Sequence, residues 1–280
     1  MNSKSKGNGI KWLATIGFAF VSLIALFPII GLLISSFRPS SDLMRDGISF
    51  SIDLTKLNFD NYAYIFQEAS QYWSWYGNSL IISGMTIILS LFFSSMVGYA
   101  LAVYEFKGRN LFFVLVLLIL MIPFEILMLP LYQLMVSAQI VDTYFAVVLP
   151  LIVAPVAVFF FRQFALGLPK ELMDAARIDG STEYGIFFRI MLPLMGPSLA
   201  AMAILQGLAS WNNFLWPLLV LRSNSMFTLP IGLATLLTPY GNNYDILIAG
   251  SVLTIIPIII LFIFFQRYFV AGLTSGGVKG

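Results

Sequence analysis

Residues 168–199 read LPKELMDAARIDGSTEYGIFFRIMLPLMGPSL, a charged interlude in a chain made mostly of apolar runs long enough to cross a bilayer. Pro169 suits the first turn of a helix on which Leu172, Ala175, Ala176 and Ile178 fall to one side, with Lys170, Asp174 and Arg177 around them. Gly180 stops that helix, Ser181 or Thr182 can cap a second short one, and Glu183 sits favourably in the second helix's first turn. Pro193 and Pro197 punctuate the return to apolar sequence. The spacing predicts two helices joined at a glycine, an elbow lying outside the bilayer. Two uses fit such an elbow. It is either an amphipathic connector resting on lipid headgroups, or a docking knob whose small Ala175, Ala176 and Gly180 let another protein come close while neighbouring charges fix register.

Working outward from the elbow, the whole composition is that of a polytopic membrane protein. Of its 280 residues 59% are hydrophobic and 10% charged, against roughly 45–50% and 25% in soluble domains, and the mean hydropathy is +0.91. Cysteine and histidine are both absent, which removes thiol chemistry and the commonest metal ligands. No metal site and no catalytic residue is expected.

Six apolar runs are long enough to span a hydrocarbon core of about 30 Å. They cover about residues 12–37, 77–103, 111–135, 145–164, 199–221 and 246–269, so an all-α fold with six transmembrane helices is expected. The first run follows Lys4, Lys6 and Lys11 and has the character of an uncleaved signal anchor. Residues 38–76 form a polar loop ending in Tyr72, Trp73, Trp75 and Tyr76, where an interfacial aromatic belt would sit. Lys107, Gly108 and Arg109 make a tight hairpin between the second and third runs. Pro150 and Pro155 interrupt the fourth.

Orientation follows from the basic residues. Only Arg38, Arg45, Lys56 and Arg222 fall on one side, and the other eleven of the fifteen Lys and Arg lie in the N-terminus, the inner turns, the elbow and the tail. The positive-inside rule then makes both termini and the elbow cytoplasmic. The chain divides into an N-terminal segment, 1–11, a transmembrane domain, 12–271, containing the elbow at 168–198, and a Gly-rich tail, 272–280. No Walker-type phosphate loop is present, so any ATP is expected on another chain. Nucleic acid is not an expected partner; membrane lipid is.

Three further groups carry functional candidates. Glu125 is the one acid well inside a predicted span, flanked by Pro123 and Pro130; a charge there costs at least about 2.5–3.5 kcal/mol on insertion scales and should face protein or water. A gate or a packing hydrogen bond suits it better than proton coupling, because no second intramembrane acid or histidine completes a relay. Trp211, Asn212 and Asn213, near Phe214, Trp216 and Pro217, offer amides and aromatic faces to a sugar, or serve as interhelical glue. Thr238 to Tyr244, with Tyr240, Gly241, Asn242 and Asn243 inside it, is a turn signal and reads as an exposed loop.

Asp174-Ala175-Ala176, then Asp179-Gly180, then Ile190 and Pro193, resembles the EAA motif of permease subunits of bacterial ABC importers, and the surrounding string is similar to the carbohydrate branch. Asp174 stands where the family usually has Glu, shortening the carboxylate's reach by one methylene. The end of the chain, from Gln266 to Gly280, resembles that of MalG-type subunits of maltose importers. The resemblance implies the type I ABC importer fold, with the elbow as a coupling helix seated in a cleft of the ATP-hydrolysing subunit. It implies that Asp174, Ala175, Ala176, Arg177, Asp179 and Gly180 contact that subunit, and that Gly276, Gly277 and Lys279 enter the ATPase dimer interface. It further implies that the loop at 240–244 reaches the sugar cleft of an extracellular binding protein. The implied partners are a second, MalF-like permease, two ATPase copies binding ATP and Mg, and that binding protein, in the bacterial cytoplasmic membrane. An ion-coupled secondary transporter is the alternative, and Glu125 alone does not supply its ion site.

Overall fold

The computed structural model describes residues 3–39, 42, 55, 57–238, 241–242 and 244–277. The chain forms two compact units, one of residues 1–72 and 233–255 and one of residues 73–232 and 256–280.

In the first unit, α1 (Ser3–Ser36) is a single apolar helix. It is tied off by α2 (Asp60–Gln67). The buried Asn61 amide donates to the carbonyls of Ser36 and Arg38, both at 2.9 Å, satisfying the acceptors that a helix end leaves open. α14 (Tyr244–Leu253) packs against both α1 and α2. The Tyr72 hydroxyl donates to the Gly250 carbonyl at 2.9 Å, and a Cβ on Gly250 would lie 2.8 Å from the tyrosine ring. Before α14, β1 (Leu237–Thr238) and β2 (Gly241–Asn242) pair antiparallel, Leu237 with Asn242 and Thr238 with Gly241. This short ladder is the one departure from an all-helical fold among the described residues.

The second unit is built on α3 (Ser70–Val103). The aromatic residues expected as a lipid-interface belt before this span lie inside its first turns, and Tyr72 and Trp75 are buried. The Trp75 indole donates to Asn224 and covers Gly232, where a Cβ would meet the ring at 2.0 Å. Rings that find internal partners bury there rather than at headgroups.

The third apolar run is not one helix. It breaks into α4 (Arg109–Leu120) and α5 (Phe124–Ser137), bent by 104° at residues 121–123. Pro123 lacks the N–H that would continue α4 and opens α5 instead. The fourth run comprises α6 (Tyr144–Val148), a 3₁₀ turn at Leu149–Leu151 and α7 (Pro155–Leu166), with a 42° bend where the prolines predict one. Helix α3 crosses α7 at Gly98, where an added Cβ would sit 2.8 Å from both the Phe161 Cβ and the Val158 carbonyl oxygen. A side chain there would hold the helices apart. Arg162 donates to the Leu101 carbonyl and stacks 3.7 Å over the Phe113 ring.

The elbow comprises α8 (Glu171–Ile178) and α9 (Glu183–Ile186). Through a π-helical turn at Phe187–Met191 and α10 (Leu192–Leu194), the chain enters α11 (Gly196–Trp211) with a 74° bend. The fifth run, expected to continue to residue 221, stops at Trp211 and restarts as α12 (Leu215–Val220). The core there centres on the fully buried Trp216, whose indole donates to the Val147 carbonyl at 3.2 Å. A 3₁₀ turn (Asn224–Met226) and α13 (Leu229–Thr235) follow.

The last helix, α15 (Ile255–Gly277), continues through glycines expected to begin a tail at residue 272. Among the described residues three helical stretches, Lys11–Ser36, Ser70–Val103 and Ile246–Arg267, are long and apolar enough to cross a membrane, with up to three more spans if each bent pair counts as one. The third bent pair begins at Glu183 in the elbow rather than at residue 199.

Candidate functional site

The turn chemistry of the elbow matches its sequence. Gly180 has φ +78, its N–H bonds the Arg177 carbonyl at 3.1 Å, and the Ser181 N–H bonds the Ala176 carbonyl at 2.9 Å. This is a Schellman closure, in which a left-handed residue satisfies the last carbonyls of a helix. A Cβ on Gly180 would meet nothing within 4 Å, so backbone conformation rather than space within the chain selects glycine here. Thr182, not Ser181, caps α9, accepting from the Gly185 N–H at 3.1 Å.

Of the small residues expected where another protein could come close, Ala175 and Gly180 are exposed and Ala176 is buried. Met173 and Ala176 are buried, whereas Leu172, Ala175 and Ile178 point outward, Ile178 at 86% exposure. The buried pair joins Ile186, Phe187 and Met191 in one apolar cluster with Tyr99 and Ala102 of α3. The apolar side of α8 is wide and lies opposite Asp174 and Arg177, and Met173 and Ala176, at the edge with the α3 end behind it, become core. The rest, with Tyr184 at 75% exposure, form an exposed apolar surface on the elbow.

The charges of the elbow close on one another. Arg177 donates from Nη1 to Asp174 Oδ1 at 3.0 Å, and from Nε and Nη2 to the two Glu183 oxygens at 2.8 and 3.3 Å. The Tyr104 hydroxyl, just past the end of α3, donates to Glu183 Oε2 at 2.8 Å. Arg177, then Tyr104, hold the Glu183 carboxyl below the ordinary carboxylate range. Burial and the Glu183 carboxylate push the Tyr104 phenol well above its ordinary value. Glu183 and Tyr104 were missed as a pair because 79 residues separate them. Asp179 is exposed.

The other candidates are dispersed. Glu125 is exposed in the first turn of α5, just after the 104° bend, where a carboxylate suits the helix dipole. It is therefore not in the middle of a continuous span. Trp211 is buried, with its ring edge-on to Tyr76 at 5.7 Å. The Asn212 amide caps its own helix by donating to the Leu208 carbonyl at 2.9 Å, and Asn213 is half-buried in the break before α12. Of the turn at 240–244, Gly241 and Asn242 form β2 and Tyr244 opens α14, while Tyr240 and Asn243 lie outside the described residues. In the tail, Gly276 and Gly277 end α15, and Lys279 lies outside the described residues.

A second polar constellation was not legible as one. Asp142, at φ +65, accepts from the backbone N–H of Arg222 at 2.8 Å and of Ser223 at 3.0 Å, and from the Ser223 hydroxyl. Burial alone would raise its carboxyl, but these bonds outweigh burial and hold it below the ordinary range. Arg222 also donates to the Tyr132 hydroxyl. The Asn78 amide donates to the Ser225 and Phe227 carbonyls at 2.8 and 2.9 Å and accepts from the Tyr144 hydroxyl at 2.7 Å. The Leu229 N–H donates to Ser79 Oγ at 2.7 Å. Residues 222–229 are thereby fixed by side chains of distant elements.

The chain is 76% identical over 271 residues to an arabinooligosaccharides transport system permease protein, AraQ, of Halalkalibacterium halodurans, covering 97% of each chain. It is 61% identical to the AraQ protein of Bacillus subtilis, covering 95% of each. Among solved structures it is similar to a chain of a bacterial ABC transporter involved in the import of the acidic polysaccharide alginate. That similarity has a TM-score of 0.81 and 21% identity, covering 96% of this chain and 99% of the other. Residues 90–275, from within α3 through the elbow to near the end of α15, match a family description, and the chain belongs to the binding-protein-dependent transport system inner membrane components.

Proposed function

We propose that the chain is one of two transmembrane permease subunits of an ATP-driven importer of oligosaccharides of the arabinose class. It has no ATPase site of its own. The observation that carries this reading is the elbow: a Schellman-closed pair of helices that presents Leu172, Ala175 and Ile178 outward in a chain whose family imports with binding proteins. The substrate class rests on the high identity to two permeases of arabino-oligosaccharide transport.

In this reading the elbow and both termini are cytoplasmic, and Asp174, Ala175, Arg177, Asp179 and Gly180 form the surface that seats on an ATPase subunit, while Ala176, buried against the end of α3, supports it from behind. ATP and Mg bind to the ATPase dimer. Its closure draws the elbows of this chain and of a second, MalF-like permease together, and the broken spans rock from inward-facing to outward-facing. An extracellular binding protein delivers the sugar, the loop at 240–244 competes for its cleft, and the tail residues Gly276, Gly277 and Lys279 approach the ATPase interface. Glu125, Trp211, Asn212 and Asn213 are the candidates for lining the path.

Reconstituted vesicles holding the complete complex test the proposal. Uptake of an arabino-oligosaccharide is expected to require internal ATP and to stop with vanadate. Uptake that persists with vanadate and stops when the ion gradients are collapsed would instead establish the secondary-transporter alternative.

A further inference from the structure

The apolar cluster of Met173, Ala176, Ile186 and Phe187 with Tyr99 and Ala102 seats the elbow on the inner end of α3. It needs no charge to do so. Yet Gly180, the joint between α8 and α9, has no neighbour within 4 Å of where a side chain would begin. No side chain packs on that joint, which is closed by the two backbone hydrogen bonds of Gly180 and Ser181, so a force on the outward face of α8 would bear on them. The two-point fork from Arg177 to Glu183 bridges α8 and α9 across the joint, and the same carboxylate accepts from Tyr104 at the end of α3. Exposed ion pairs add little to stability, whereas a bidentate arginine fixes direction.

We propose that Glu183 and Tyr104 are positioning residues of the coupling step, a clasp that makes α8, α9 and the inner end of α3 move as one body, so that displacement of the elbow reaches the transmembrane helix. This rests on the reading of the elbow as the ATPase-docking surface. Arg177 acts through Glu183, and Asp174 holds the other side of the same guanidinium at 3.0 Å. Asp174 is thus engaged within the chain, its shorter side chain directed to Arg177. Without the Tyr104 hydroxyl the elbow still folds and still docks, but part of each stroke is lost as rotation at Gly180.

The test uses the complete complex in vesicles and measures sugar imported per ATP hydrolysed, a ratio that a purely structural support would leave unchanged. Tyr104→Phe deletes one hydroxyl and leaves the apolar cluster intact. It is expected to leave the amount of co-purified ATPase unchanged and to lower the ratio by roughly three- to fivefold. Glu183→Ala should lower it at least as far, and Glu183→Gln, which keeps an acceptor for Tyr104, should recover part of the loss. A wild-type ratio in both Tyr104→Phe and Glu183→Ala overturns the clasp, as does a loss confined to ATPase co-purification. Failure of the underlying reading looks different: the wild-type complex itself would then show no vanadate-sensitive uptake.

Discussion

The segment at residues 222–229 and the elbow at residues 171–191 are both irregular joints next to breaks in apolar runs, but they are completed in opposite ways. In the first, side chains from elsewhere in the chain satisfy the backbone: Asn78, Ser79 and Trp75 from α3, and Asp142 from the loop before α6. Asn78, Ser79 and Trp75 are buried. In the elbow the polar groups pair at exposed positions, locally except for the Tyr104 hydroxyl on Glu183, and large apolar side chains are left facing out. A buried polar network is costly to leave half made, whereas an exposed one is nearly neutral. The first joint is therefore finished within the chain, and the second leaves an apolar surface open.

Breaking each joint should expose that difference, most of all at the glycine in or just beside it. In Gly232→Ala the new methyl would meet the Trp75 ring at 2.0 Å, so the cost is expected near the upper end of the ~1–3 kcal/mol typical of overpacking. It should appear as a lowered Tm and lowered yield of monodisperse protein. Asn78→Ala removes the partner of the Ser225 and Phe227 carbonyls and of the Tyr144 hydroxyl. A loss of about 2 kcal/mol is expected from unsatisfied buried groups, read by the same melting experiment.

Gly180→Ala, at φ +78 in open space, should cost only about 1 kcal/mol from the left-handed backbone. Gly180→Trp should melt about where Gly180→Ala does while abolishing uptake, because its bulk obstructs a partner rather than this chain. Equal Tm losses at Gly232 and Gly180 would erase the contrast.

The smallest effect is in pH dependence. Asp142 is held below its ordinary value, so its contribution to stability is present above that ordinary value, about 4, and is lost as pH falls through the lowered one. Asp142→Asn should abolish this part of the acid destabilisation. Glu183 has the same sign, but Glu183→Gln should hardly move the acid limb of stability, since its pair is exposed.

The elbow was the most legible part of the molecule because its turns are set by local chemistry. Gly180 adopts the left-handed closure and Thr182 the cap, and neither requires anything distant. The outward face of α8 was not legible, because Leu172, Met173, Ala175, Ala176 and Ile178 make an apolar side wider than one contact can cover, and only α3 decides which of them become core. The burial of Tyr72 and Trp75 in the first turns of α3 was hidden for a related reason. Tyr72 finds Gly250 across 178 residues, and Trp75 finds Asn224 across 149, and no local pattern records such partners. The run at 111–135 held its proline in plain view, yet hydropathy alone cannot tell a kink from a 104° fold-back. Asp142 gave no signal, since its role is to hold backbone groups 80 and 81 residues away.

The claim that the elbow is finished by a partner is tested most directly at Ile178, 86% exposed in the isolated chain. The chain has no cysteine, so Ile178→Cys introduces a unique thiol, and its rate of modification by a soluble maleimide can be compared in the isolated permease and in the complex with its ATPase. Modification is expected to be fast in the permease alone and suppressed at least roughly tenfold in the complex, as a thiol taken from water into a packed interface becomes unreactive. Equal rates in the two states, with the ATPase demonstrably bound, would contradict the account and return the elbow to a connector lying on the membrane.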